Sequence, residues 1–250
     1  MSFPVWLAIG PWRVHPHVAF ELLAYLVAAV VYQSLRSRGG DHLDSGQRWS
    51  LTAAAALGAV VGSRALFWLE DPAGTLRRLG DVVRLLGGQT VVGGVLGAWV
   101  AVEIQKRRIG ITSRTGDLFA VPAAAGIAVG RIGCFLSGLP DGTYGLATSL
   151  PWGIDLGDGV LRHPTALYES IVLAMLSGVL WRLQPRLRRG DTFRLFIVCY
   201  LAFRLGVDAL KPGVVIALGL TSIQWACVAG LAYYLRQSFR SAPSTEARTS

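Results

Sequence analysis

The chain predicts an all-α architecture, a polytopic membrane bundle of about seven transmembrane helices, N-terminus outside and C-terminus inside. Three observations lead there. Apolar types make up 52% of the 250 residues and charged types only 16%, with a mean hydropathy of +0.47. The apolar residues gather in runs of about 20, the length a helix needs to cross a hydrocarbon core about 30 Å thick. The basic residues behind the formal charge of +9 lie mostly between those runs. A pI near 10.1 would otherwise suggest nucleic acid, but that placement points to anionic lipid headgroups, and no nucleic-acid partner is expected.

Seven segments have the required length: 17–35, 51–69, 85–104, 116–136, 165–183, 192–210 and 214–235. They form a single transmembrane domain over 1–235, followed by a polar cytoplasmic tail over 236–250. The third opens with LLGGQTVVGG, whose paired glycines favour an unwound or re-entrant start, tolerated in a bilayer only where protein covers the backbone. No basic stretch precedes the short apolar run at 5–10, so no cleaved signal peptide is expected. With the N-terminus outside, the inside loops and tail hold fourteen Lys and Arg residues against six outside, which sets the orientation. Small residues four apart at Gly58/Gly62, Gly93/Gly97, Gly126/Gly130 and Ala226/Gly230 predict close helix packing.

Ionisable groups inside spans are costly, about 2.5–3.5 kcal/mol each on insertion scales, and each is a functional candidate. Glu21, Arg64, Arg131, Glu169, Arg204 and Asp208 fall at one depth on five helices, toward the outer leaflet. Arg204 and Asp208, at i and i+4, share a face. The group reads either as buried pairs that hold helices together or as a wet cavity for an anionic headgroup, which arginine grips with its planar fork. The convergence of six groups favours the second. Asp117 and Glu103 lie at cytoplasmic ends, where snorkelling explains them.

The run around Arg131 is GRIGCFLSG, followed by PDGTYG, PWGIDLGDG and RHPTALYE, in which Thr165 is a plausible helix cap. Together with Ile9-Gly10-Pro11 and His15, Gly62-Ser63-Arg64, the stretch from Gly87 to Gly94, and AFRLGVD, these segments resemble, in order and placement, the prolipoprotein diacylglyceryl transferase family. The resemblance implies transfer of a diacylglyceryl group from phosphatidylglycerol to a cysteine thiol of a prolipoprotein or related acceptor. It implies a multi-pass protein of the bacterial cytoplasmic (inner) membrane, with no cofactor and no metal. On this reading the candidate catalytic residues are Arg131, Arg204 and His163, and the candidate substrate-binding residues are Arg64, Arg131, Gly133, Gly145, Tyr168, Glu169, Arg204 and Asp208.

The chain departs from the family pattern at Val92, where the family carries a histidine, at Cys134 and Ser137, where it carries asparagine, and around Leu139, where it carries glutamate. A valine can neither move a proton nor donate to a phosphate. A second class therefore stays open, a phospholipid-binding membrane paralogue that kept the site and lost the chemistry. A small transporter is disfavoured by the lack of an internal repeat. Cys134 reads as an inert buried thiol or as a nucleophile beside arginine, and His163 as a helix-start hydrogen-bonding group or an acid–base group.

Overall fold

The structure, a computed structural model, describes residues 3–77, 79–81, 85 and 87–240. Arg78 and Arg84, both counted among the expected outer charges, Leu86 of the third expected span, and the tail from Ser241 with Arg248 lie outside the described residues. After a small hairpin, β1 (Leu7–Ile9) with β2 (Trp12–Val14), the chain forms α1 (Pro16–Leu35), α2 (Ser45–Glu70) and the short α3 (Pro72–Arg77). Then come α4 (Val91–Arg108), α5 (Asp117–Ser137), α6 (Thr165–Leu183), α7 (Asp191–Asp208) and α8 (Ser222–Arg240). Two more hairpins, β3 (Ile154–Asp155) with β4 (Leu161–Arg162) and β5 (Val215–Ala217) with β6 (Leu220–Thr221), precede α6 and α8.

Among the described residues, four helices are long and apolar enough to cross a membrane: Pro16–Arg38, Ser45–Glu70, Asp117–Ser137 and Thr165–Arg186. They leave Leu22, Leu26, Val30, Leu57, Val60 and Val61 exposed, a periphery suited to lipid rather than water. α4 and α7 fall short of that standard because each carries four charged residues. The core runs between α5, α6, α7 and α8, through Val121, Ala124, Leu173, Phe196, Tyr200, Leu201 and Cys227.

The glycine pairs on α2 and α4 face one another. A Cβ on Gly58 or Gly62 would strike the carbonyl of Gly97 or Gly93, and the reverse also holds. Backbones this close exclude any side chain at the crossing, which explains why both helices carry the spacing. On α5, Gly126 packs on Ala24 and Ala28, and Gly133 on Phe20 and the carbonyl of Pro16, so α1 lies directly against the glycine face.

Two expected spans start elsewhere. The third helix begins at Val91 because the Thr90 hydroxyl caps it, accepting from Gly93 N at 3.2 Å. The chain ahead of it is tied to α2: Thr90 N donates to the Ser63 carbonyl, Arg64 Nη1 to the Gly88 carbonyl and Trp68 Nε1 to the Leu85 carbonyl. The non-helical backbone at Gly88 and Thr90 is thus covered by protein partners, as a bilayer demands. The last helix begins at Ser222, since residues 214–221 are taken up by the β5–β6 hairpin, which turns at Leu218 and Gly219 with positive φ. A reciprocal cap then starts α8: Thr221 N donates to Gln224 Oε1, and Gln224 N donates to Thr221 Oγ1.

Two other expectations are corrected. Thr165 does not cap α6; its hydroxyl donates to the Thr143 carbonyl at 2.9 Å, and no side chain caps that helix. Asp117 does more than snorkel. Its carboxylate accepts from the backbone N of Gly190 and of Phe193, satisfying the free N–H groups at the start of α7.

Candidate functional site

The start of α1, the ends of α2, α5 and α7, and the starts of α6 and α8 bring their polar residues to one end of the bundle. Glu169, in the second turn of α6 and fully buried, is the hub. Arg131 Nη2 from α5 lies 2.8 Å from Glu169 Oε2, and Arg204 Nη1 from α7 lies 2.6 Å from Oε1. Lys211 Nζ, just past α7, reaches the same Oε1 at 2.6 Å. Arg204 Nη2 also pairs with Asp208 Oδ1 at 3.2 Å, on the shared face that the i, i+4 spacing requires. Asp208 Oδ2 in turn accepts from Thr221 Oγ1 at 2.7 Å, so the cap of α8 is bonded to the charge cluster.

Three cations therefore stand around Glu169 and Asp208, with the Nε of both Arg131 and Arg204 buried and without a hydrogen-bond partner among the described residues. A buried donor left unmade is expensive, so such a site favours an acceptor-rich ligand. Burial draws the Lys211 ammonium down to about 8, against the pull of Glu169. Beside Asp208 opens a cavity of about 270 Å³, whose walls include Phe67, Glu70, Leu85, Val214, Thr221 and Ile223. Its mixed lining suits an amphipathic ligand, and Glu70, Asp71 and Asp208 are its acidic wall.

A second group adjoins the first. His17 in the first turn of α1, Cys134 in the last turn of α5 and Asp141 in the following turn place one nitrogen, sulfur or oxygen atom each within 4.8 Å of one another. Arg131 Nη1 lies 3.9 Å from Cys134 Sγ and joins the two groups.

The remaining expected residues sit apart from the Glu169 hub. Arg64 is half-buried and holds the Gly88 carbonyl. Glu21 accepts from the Tyr25 hydroxyl at 3.0 Å. His163 Nδ1 is 3.4 Å from the Tyr168 hydroxyl, which also accepts from Trp152 Nε1 at 2.8 Å. Gly145 lets the chain pass against His163: a Cβ there would meet the His163 Cβ at 2.6 Å. Gly133 does the same for α1. Val92 is 1% exposed and belongs to the apolar core with Leu66 and Leu201.

The sequence alone singles out neither Lys211 nor Thr221, and of the second group it marks only Cys134. Lys211 follows Asp208 by three residues, a spacing that could have found it, but it lies just past the apolar run. His17 and Asp141 are 124 positions apart and no local pattern joins them.

Residues 4–236 match the family described as prolipoprotein diacylglyceryl transferase. Among curated relatives, the phosphatidylglycerol–prolipoprotein diacylglyceryl transferase of Solidesulfovibrio magneticus is 32% identical over 217 residues, covering 83% of this chain and 81% of its own. That of Bordetella bronchiseptica is 30% identical over 257 residues, covering 93% and 94%. That of Methylocella silvestris is 32% identical over 244 residues, covering 94% and 81%. Sequence similarity spread over nearly the whole chain, the helical membrane fold and the motif order agree: the chain belongs to the prolipoprotein diacylglyceryl transferase family.

Proposed function

We propose that this protein transfers the diacylglyceryl group of phosphatidylglycerol to the cysteine thiol of a prolipoprotein at the cytoplasmic membrane of a bacterium. The carbon–oxygen bond to phosphate breaks, a carbon–sulfur thioether bond forms, the thiol proton is lost and glycerol phosphate departs. Arg131 and Arg204 hold the phosphate through the fork that lysine lacks and stabilise the charge on the leaving group. Glu169 and Asp208 orient those two side chains, and Lys211 adds a third cation. Tyr168 and His163 line the acceptor side, with Gly133 and Gly145 admitting the close backbone approaches. The observation that carries this reading is a pair of guanidinium groups gripping one buried carboxylate, each with its Nε free.

A second reading has its own observation. Val92 lies in the apolar core, where no proton transfer is available to it, as in a paralogue that binds the lipid without transferring it. Labelled phosphatidylglycerol incubated with the purified protein and a lipobox peptide separates the two. Transfer is expected to yield lipidated peptide and free glycerol phosphate; saturable binding without either product would favour the paralogue.

Placed in the bilayer, α4, α7 and α8 complete seven crossings with α1, α2, α5 and α6, N-terminus outside, so the Glu169 cluster faces the outer leaflet. An impermeant thiol reagent added outside is expected to modify a cysteine at Asp158 and to spare one at Gly190. The reverse pattern would overturn the orientation and the outer-leaflet site together.

A further inference from the structure

We propose that His17, Cys134 and Asp141 form a binding site for a thiophilic divalent cation of the Zn2+ type, a centre that the family resemblance did not lead us to expect. The three residues come from separate elements, the first turn of α1, the last turn of α5 and the turn beyond it, and their ligand atoms converge within 4.8 Å. Cysteine, histidine and carboxylate are the donor set that zinc takes, and a thiolate with an imidazole selects it over magnesium or calcium.

His17 Nδ1 and Asp141 Oδ1 approach to 2.7 Å, an ion-pair contact that a bound cation would replace by taking the place of the imidazole proton. The surroundings match what holds metal ligands in place. Asp141 Oδ2, the other oxygen, accepts from Thr143 Oγ1 at 2.7 Å. His17 Nε2, the other nitrogen, lies 3.9 Å from Glu21 Oε2, and Glu21 is itself held by the Tyr25 hydroxyl. At that distance Glu21 is an electrostatic neighbour of the far nitrogen, not a hydrogen-bond partner.

Charge agrees as well. One thiolate and one carboxylate neutralise a divalent ion, while the neighbouring Arg131 is already paired with Glu169. Gly133 is part of the construction, since a Cβ there would meet His17 Cα at 3.3 Å and push α1 off the site.

Three protein ligands leave the fourth tetrahedral position open. This part rests on the transferase reading: the acceptor cysteine occupies that position. A coordinated thiol is deprotonated outright, its proton passing to water. The bound thiolate then attacks the glyceryl carbon, and the carbon–oxygen electron pair leaves with glycerol phosphate beside Arg131. A metal-held thiolate needs no protein base, which accounts for an apolar Val92.

Co2+ added to the purified metal-free protein in lipid nanodiscs supplies the test, without any substrate. Wild type is expected to show saturable d–d bands of a tetrahedral site together with the near-ultraviolet thiolate-to-cobalt charge-transfer band. Cys134→Ser abolishes the charge-transfer band, and Thr143→Val, which touches no metal, weakens Co2+ affinity by about 10–100-fold. Absence of the charge-transfer band in folded wild type, or its survival in Cys134→Ser, would overturn the site. Turnover on the same preparation separates the two ideas. Full transferase activity in chelator-stripped protein refutes the catalytic role while leaving the transferase reading intact; a thiolate–cobalt band with no turnover refutes the transferase reading and keeps the site.

Discussion

Arg131→Lys and Arg204→Lys are each expected to lower diacylglyceryl transfer by about 10²–10³-fold, the cost of removing one preorganised donor to developing negative charge. Charge is preserved in both, so a loss of that size isolates geometry. A guanidinium on this hub makes two kinds of contact at once: Arg204 uses Nη1 for Glu169 and Nη2 for Asp208, keeping Nε for a ligand. A lysine offers one nitrogen for all three tasks and would spend it on Glu169. The loss should fall on kcat as well as on kcat/KM, because the leaving phosphate carries more charge in the transition state than in the bound lipid. Arg77→Lys is the control; its Nε donates to the Ala73 carbonyl one turn back, and turnover should hardly change. Equal losses in all three variants would show that the arginines act only by holding the protein together.

What the sequence revealed, and what it hid, follows from the range of the interactions. Apolar runs and the spacing of Gly58, Gly62, Gly93 and Gly97 are local properties, and the helices and the α2–α4 crossing follow from them. Arg204 and Asp208 share a face for the same reason. Arg131 and Glu169 lie on different helices, but both were legible because an ionisable group in lipid is too costly to be incidental. Arg64 was legible by the same rule. The charge holds an unwound carbonyl at Gly88, and only the chain's path after α2 reveals that need. The β5–β6 hairpin was hidden because Val214–Leu218 is apolar enough to pass for the first turn of a span, and the turn depends on Leu218 and Gly219 adopting positive φ. His17 lay furthest from view. Its partners come from α5 and the turn beyond it, across the Gly133 contact, and neither neighbour in sequence announces them.

Glu169→Gln should do the greatest damage to the fold itself. The substitution keeps the shape and one carbonyl acceptor but leaves Arg131, Arg204 and Lys211 facing each other with Asp208 as the nearby carboxylate. Breaking a buried pair from one side costs about 3–5 kcal/mol, and the melting temperature in detergent is expected to fall by roughly 6–20 °C. The variant has one partial relief. Burial already draws Lys211 to about 8 with the carboxylate beside it, and without that carboxylate its pKa drops further. Between the lowered value and about 8, the unfolded variant binds a proton that the folded variant does not, so its stability climbs with pH. Wild type gains the same relief only above about 8, where both climb together. The gap should therefore narrow as pH rises toward 8 and stay constant beyond it. Adding Lys211→Met to Glu169→Gln removes the third cation and the titrating group at once. That double variant is expected to recover part of the lost stability at neutral pH and to lose the narrowing of the gap below about 8. A gap that is the same at every pH in the single variant, with no recovery in the double, would mean that Glu169 acts through packing rather than charge.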